Sequence, residues 1–475
     1  MQKKFISNLV LMLVLNLLIK PIAIFGIDAS VQNKVGAANY GIYFSLLNLT
    51  FLFNIILDLG INNFTTKNIA QYPHIVSRYM GKLLSFRLLL FGIYTAITLT
   101  VAFFLGYKIN EFGILAFLIF NQFLTTMIAY FRSHFSGLLL FKTESVISVL
   151  DRLLLIIFCG IIFFISKDNF KIEWFIWIQT ICYLVVTLTA FILLVKQIGM
   201  PKITWHWSFS KAIVKKSLPY ALLILLMMFY TRIDSVMIER IHPNGKEEAG
   251  IFAQGFRLLD AFFLFGMIFS NLLFPLFSKI IKQRISVLPL LTTAGNLLIG
   301  GSIVIAVFCY FNSEFVLSLI YNDEISQSIG SFKWLMLSFV GMCFTLIFGT
   351  LLTANGSLRF LNIFSFVGII INVSLNFYLI PIYGATGSAF ATFTTQSSIA
   401  LIQFAYCAKN FEFQFSFNLI GRYALFLILT IAVFYFFSKI NTSILVLLSE
   451  ILCCTVILFL TKMIDVRSLK KQFLD

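Results

Sequence analysis

The sequence predicts an all-α integral membrane protein with fourteen transmembrane helices. Of its 475 residues, 60% are hydrophobic and only 11% are charged, whereas soluble globular chains carry about 25% charged residues. Nearly every stretch of about twenty residues is apolar enough to cross roughly 30 Å of hydrocarbon. These runs are far longer than barrel strands, and a backbone in lipid must satisfy its own hydrogen bonds, so they are predicted to be helices.

The spans are placed by the apolar runs between short polar connections. The predicted boundaries are 5–27, 40–61, 82–105, 112–133, 146–166, 172–195, 213–239, 251–277, 287–311, 331–353, 360–380, 385–408, 419–438 and 442–463. All connections are short, which leaves no room for a soluble catalytic domain. An even number of spans puts both termini on the same side of the membrane.

The charge balance follows from the membrane setting. The formal net charge is +16, which in a soluble chain would suggest nucleic acid as a partner. Here most Lys and Arg residues fall on the connections and helix ends that share a side with the termini. Cytoplasmic loops retain basic residues, so both termini are predicted to be cytoplasmic and nucleic acid is not expected as a partner.

The chain divides into two comparable halves. Residues 1–196 form a predicted N-terminal lobe of six helices, 197–212 a cytoplasmic interfacial linker, 213–408 a second six-helix lobe, and 409–475 two additional helices with a cytoplasmic tail. Ala38–Tyr43, which opens the second span, is echoed by Glu248–Phe252 at the eighth. Six spans per repeat predict two parallel, pseudo-symmetric lobes around a central cavity, the architecture of an alternating-access transporter.

No cofactor or metal site is indicated. The seven cysteines lie inside or at the ends of apolar runs without CxxC spacing, and the four histidines form no metal-binding pair. The cysteines are therefore interpreted as small core residues.

Basic residues inside spans are the main candidates for function, because a buried charge is costly and is retained for a reason. Lys20, Arg232 and Arg257 are predicted at similar depth near the outer side, where they would attract an anion such as a pyrophosphate. The alternative for Arg257 is local neutralisation by Asp260 at i+3.

Polar residues repeat at helical spacing in three spans and define candidate faces of the cavity. Such faces suit hydroxyl-rich cargo and equally suit hydrogen bonds between helices. The members are Asn8 and Asn16 beside Lys20, Gln254 beside Arg257, and Asn372 with Asn376.

Three acids are candidates for ion coupling or for structural roles. Asp58, at the inner end of the second span, is predicted to organise the following turn. Asp234 either answers Arg257 or Lys20 across the bundle or couples transport to H⁺ or Na⁺, and Asp260 pairs with Arg257 or contributes to the cavity.

Several motifs carry a resemblance to a known family, and together they extend over nearly the whole chain. They are Gly36–Tyr43 with Leu57–Gly60, Ser217–Tyr220 through Tyr230–Asp234, Ala249–Phe252, Phe274–Ser278, Asn355–Gly356, Leu379–Pro381 and Tyr383–Gly387. The sequence resembles the Wzx-like polysaccharide flippases of the multidrug, oligosaccharidyl-lipid and polysaccharide (MOP) exporter superfamily.

The resemblance implies a transporter of the bacterial cytoplasmic membrane. Its expected substrate is an oligosaccharide repeat unit linked to undecaprenyl pyrophosphate, for O-antigen, capsule or exopolysaccharide, and its expected partners are membrane lipids and the polysaccharide polymerase machinery.

One alternative is a flippase for the peptidoglycan lipid precursor. Another is a multidrug or metabolite exporter, which the excess of basic residues in the spans argues against. A polymerase or glycosyltransferase would need a large extramembrane loop, and the connections are too short for one.

Overall fold

The computed structural model describes residues 15–16, 18–62, 65–66, 69, 76–166, 169–201, 204–413, 417–439 and 444–461. Within these residues all regular structure is helical, which confirms the predicted fold class. Asn8 lies outside the described part of the chain.

Two compact units divide the chain. The first comprises Met1–Arg240 with Asn244–Gly250, and the second Ile241–Pro243 with Ile251–Asp475. Helices of the first unit are α1 (Ala29–Leu52), α2 (Ile55–Asp58), α3 (Val76–Phe104), α4 (Ile109–Gly137), α5 (Phe141–Ser166), α6 (Ile172–Ile198) and α7 (Trp207–Ile241). Helix α8 (Gly245–Lys282) begins in the first unit and continues in the second. The remaining helices are α9 (Leu288–Phe311), α10 (Ser313–Ser318), α11 (Ile325–Ala354), α12 (Leu358–Asn410), α13 (Phe417–Phe437) and α14 (Ile444–Leu460).

Long apolar helices account for most of the described chain. Nine of them are long and apolar enough to cross a membrane within the described residues. One of the nine, α12, has 53 residues and a break at Gly384, whose φ of 50° and ψ of −129° are not helical. It therefore contains both the eleventh and the twelfth predicted spans, which the sequence separated at this position. The total of fourteen spans stays a prediction.

The connection predicted between the first two spans, residues 28–39, is wrong. Helical structure continues from the π-helical segment Ile22–Asp28 into α1, and the chain turns at Gly36 alone, where φ is 77°. The polar residues that suggested a loop are inside the protein: Asp28 and Gln32 are buried, and the Gln32 amide donates to the Gly250 carbonyl at 2.8 Å. The π-helical segment follows Pro21, which has no N–H for the helix ladder.

The two echoed motifs are in direct contact at the start of α8. A Cβ added at Gly41 would lie 1.9 Å from the Lys246 carbonyl oxygen, and one added at Gly250 would lie 2.1 Å from the Ala37 carbonyl oxygen. Nearby, the Ser45 hydroxyl donates to the Ser235 carbonyl at 2.6 Å, which joins α1 to α7. Only glycine allows the backbones to approach this closely.

We therefore expect Gly41→Ala and Gly250→Ala to destabilise the protein by about 1–3 kcal/mol or more, because each methyl group overlaps a backbone that cannot move aside cheaply. The melting temperature in detergent should fall in both variants. Gly92→Ala on α3 is the matched control, since nothing lies within 4 Å of its Cβ position. A Gly41→Ala variant that melts like the unmodified protein would show that the contact is looser than described.

Candidate functional site

Lys20 lies within a group of charged side chains in the first unit. It is within electrostatic range of Arg132 on α4 and of Glu144, Asp151 and Arg152 on α5. We call these five residues the Lys20 cluster. It holds three cations and two acids.

Salt bridges to the acids fix both arginines of the Lys20 cluster. Arg132 donates from Nε and Nη2 to the same Glu144 oxygen, at 3.0 and 2.6 Å. Arg152 Nε lies 3.6 Å from an Asp151 carboxylate oxygen. The guanidinium groups are therefore held in place before any anion arrives.

The cations of the Lys20 cluster are more accessible than the acids that hold them. The side chains of Arg132 and Arg152 are 27% and 33% exposed, whereas those of Glu144 and Asp151 are 6% and 16% exposed. Arg152 is also enclosed by neighbouring helices, with Asp28 and Tyr183 within electrostatic range. Arg152 is therefore close to several protein groups and one-third accessible.

A neutral polar contact adjoins the Lys20 cluster. The Asn16 amide, one helical turn before Lys20, donates to the Ser148 hydroxyl of α5 at 3.0 Å. Asn16, the described asparagine of the predicted polar face, therefore contacts α5.

The position of Lys20 along its helix differs from the sequence prediction. Because the helix continues to Gly36, Lys20 is far from its end. Lys34 packs over the Phe163 ring near the end of α5, and fourteen residues of helix separate it from Lys20, roughly 20 Å. Lys20 is within electrostatic range of Arg132 in the last turns of α4 and of residues in the first half of α5. Its predicted place near the outer side stays a prediction.

Arg232 and Asp234 occupy different surroundings in the same unit. The Arg232 guanidinium lies over the Phe51 ring at 5.3 Å, an arrangement that keeps a cation against an aromatic face. Asp234 is buried on α7. Whether either residue meets cargo or a coupling ion stays a prediction.

In the second unit the predicted polar residues are mostly buried. Gln254 is 2% exposed and its amide donates to the Asp323 carbonyl at 3.1 Å. Asn372 and Asn376 are fully buried, and the Asn376 amide donates to Asn372 at 3.1 Å. Hydrogen bonds of this kind, within the protein, are the structural alternative to contact with cargo. Arg257 and Asp260 are partly exposed on α8, and their roles stay predictions.

Asp58 has a partner that the sequence did not indicate. Arg87 Nη2 donates to Asp58 at 2.6 Å and to the Asn62 side chain at 2.7 Å, while the Asn62 backbone N–H donates to Asp58 at 3.2 Å. Arg87 is 1% exposed and packs over the Tyr130 ring. These contacts tie the turn after α2 to α3 and α4. In this arrangement Asp58 has a structural role.

A comparison with known protein families identifies the chain. The polysaccharide biosynthesis protein family matches residues 6–281, more than half of the sequence. The chain belongs to this family. A search of curated proteins found no match to this sequence.

Solved structures with the same fold are MOP superfamily transporters. The Lipid II flippase MurJ, in an inward closed conformation, superimposes with a TM-score of 0.72 at 15% identity, covering 97% of this chain and 99% of that one. An inward-facing multidrug resistance MATE family transporter gives 0.59 at 15% identity, covering 85% and 98%. A MOP superfamily transporter from Pyrococcus furiosus gives 0.57 at 13% identity, covering 86% and 94%. At 13–15% identity these three structures show that the chain shares their fold.

We expect Asp58→Ala to destabilise this polysaccharide biosynthesis family protein by about 3–5 kcal/mol, because Arg87 would be left as a buried charge without its acid. The melting temperature in detergent measures the effect. The double variant Asp58→Ala with Arg87→Met should recover much of the loss, since it removes both charges. If Asp58→Ala melts normally, the ion pair does not hold this turn.

Proposed function

We propose that the chain is a flippase that moves oligosaccharide repeat units linked to undecaprenyl pyrophosphate across the bacterial cytoplasmic membrane, with both termini in the cytoplasm. The repeat units would serve O-antigen, capsule or exopolysaccharide synthesis. The observation that carries the proposal is the Lys20 cluster, in which two accessible arginines and a lysine are held ready inside a membrane-embedded unit.

The physical problem of flipping is desolvation. Sugars and phosphates lose their hydrogen bonds to water when they enter hydrocarbon, and an unpaired charge loses far more. Guanidinium groups bind phosphate oxygens through directed, charge-assisted hydrogen bonds, and a lysine adds a point charge. A pyrophosphate at the Lys20 cluster would be neutralised by these cations without water.

The salt bridges suit reversible binding. Arg132 and Arg152 each share their charge with an acid, so a bound pyrophosphate competes with Glu144 and Asp151 instead of meeting bare cations. That competition moderates the affinity, and a carrier must release its cargo on the other side. Alternating access exposes the site to the two sides in turn. No covalent step is needed, so the absence of any nucleophile motif in the sequence agrees with this function.

A second candidate is a flippase for the peptidoglycan lipid precursor. The extensive superposition on the Lipid II flippase supports it, because it covers nearly the whole of both chains. The Lys20 cluster suits either lipid-linked pyrophosphate. Exporters of cationic drugs would instead favour an acidic site, so the cluster argues against that role. A coupling ion, H⁺ or Na⁺, with Asp234 as its candidate residue, and association with the polysaccharide polymerase belong to the proposal as well.

We expect Lys20→Ala and Arg152→Ala to abolish surface polysaccharide while the protein remains in the membrane. Each substitution removes a cation that would neutralise the pyrophosphate. The measurement is the amount of surface polymer, together with the lipid-linked intermediates that accumulate on the inner leaflet. Lys171→Ala is the control, because Lys171 is exposed at the start of α6.

Normal polymer levels in both cluster variants would remove the Lys20 cluster from the mechanism. The substrate is decided by a separate comparison. Deletion that blocks polymer synthesis and leaves the cell wall intact supports the oligosaccharide substrate, whereas rescue of cells depleted of their Lipid II flippase supports the peptidoglycan precursor.

A further inference from the structure

Two tryptophans are exposed where α6 is joined to α7. The side chains of Trp205 and Trp207 are 51% and 60% exposed, and their rings stack with centroids 6.0 Å apart at an angle of 21°. Large apolar rings are rarely left exposed in pairs on a water-facing surface. At the boundary between hydrocarbon and water, however, tryptophan is the favoured residue.

The backbone on both sides of the tryptophan pair is held by contacts with the rest of the first unit. The Ser85 hydroxyl of α3 donates to the Thr204 carbonyl at 3.1 Å. Ile213, one and a half turns into α7, is 4% exposed and belongs to the hydrophobic core of the first unit. The tryptophans therefore project from a fixed surface.

The exposed face of α7 changes from basic to apolar along its length. Trp207, Lys211, Lys215, Leu218 and Leu222 are spaced by four, four, three and four residues, which places them on one face. All five are exposed. A basic stretch that leads into an apolar one is the order expected where a helix passes from the headgroup layer into the acyl chains, and tryptophan is favoured at the same interface.

The end of α6 repeats this order in the opposite direction. Its exposed face carries Leu188 and Ile192 and then Lys196, spaced by four residues each. Leu188 and Ile192 are 51% and 52% exposed. The two helices therefore each bring an exposed lysine to the same end of the unit, next to an apolar surface.

No acid offsets these lysines along the chain. From Trp174 to Ile233 the sequence contains no Asp or Glu, while the same stretch contains six Lys and Arg residues. A surface with exposed lysines, exposed tryptophans and adjoining apolar faces matches one partner chemistry, a lipid with an anionic headgroup and acyl chains.

We propose that Lys196, Lys211 and Lys215, together with Trp205 and Trp207, form a binding site for an anionic phospholipid such as phosphatidylglycerol. The lysines bind the phosphate, the stacked rings pack beside the headgroup at the membrane–water interface, and the acyl chains follow the apolar faces of α6 and α7. This site is separate from the Lys20 cluster. The proposal does not depend on which substrate the protein moves.

Fluorescence quenching by brominated lipids tests the site. Trp174, Trp177 and Trp334 are replaced by Phe, so that only Trp205 and Trp207 report. The full-length protein is then reconstituted in phosphatidylcholine membranes that contain equal small fractions of brominated phosphatidylglycerol or brominated phosphatidylcholine. We expect the anionic lipid to quench at least twofold more strongly, because it is enriched at the pair.

The variant Lys196→Gln, Lys211→Gln, Lys215→Gln should lose this preference. Lys171→Gln, at the opposite end of α6, should keep it. Raising the salt concentration should also weaken the preference in the protein that keeps its lysines, because salt screens exposed charges. This measurement tests the lysines even if the triple variant does not fold.

Equal quenching by the two brominated lipids would overturn the proposal, since the pair would then be an aromatic belt without lipid selectivity. A preference that survives both the triple substitution and high salt would overturn it too, because the lysines would not be its source.

Discussion

A cation inside a membrane protein must be compensated, and the way in which it is compensated determines what it can do. In the Lys20 cluster the acids paired with the arginines are less accessible than the arginines. The charge is therefore tolerated in the folded protein while the guanidinium groups remain available. The proposed transport function depends on this arrangement, because the same cations without acids would be too costly, and with fully enclosing acids they would be inert.

Arg87 shows the other outcome within the same unit. It too pairs with an acid, at the same 2.6 Å distance as Arg132, yet only 1% of its side chain is exposed. Its hydrogen bonds go to Asp58 and Asn62 and to a backbone carbonyl of α4, so it connects segments of the protein. Accessibility, and not the presence of an ion pair, separates the structural arginine from the candidate binding residues.

Local pattern was enough to predict the helical fold. The break at Gly384 and the echo of Ala38–Tyr43 in Glu248–Phe252 were both visible in the sequence, and the structure adds that Gly41 and Gly250 of the echoed motifs touch. The first connection was mispredicted because hydropathy cannot distinguish a polar residue in a loop from one buried against protein. Asp28 and Gln32 are of the second kind.

The candidate site was only partly predictable for a related reason. Lys20 stood out because it interrupts an apolar run, but Arg132, Glu144 and Arg152 are more than a hundred residues away. Arg132 and Glu144 also lie near helix ends, where charged residues are common. Nothing local in the sequence marks them. The end of the first helix was also mispredicted, since helical structure continues past residue 27 to the break at Gly36.

The most direct measurement is the accessibility of position 16 to water. Asn16→Cys, in a protein without its native cysteines, keeps all three cations and places a thiol one turn from Lys20. In membranes, a water-soluble anionic thiol reagent should label it, and faster than a cationic reagent of similar size, while Leu188→Cys on the exposed apolar face of α6 stays unlabelled. No labelling at position 16, or faster labelling by the cationic reagent, would contradict a wet, anion-attracting site at the Lys20 cluster.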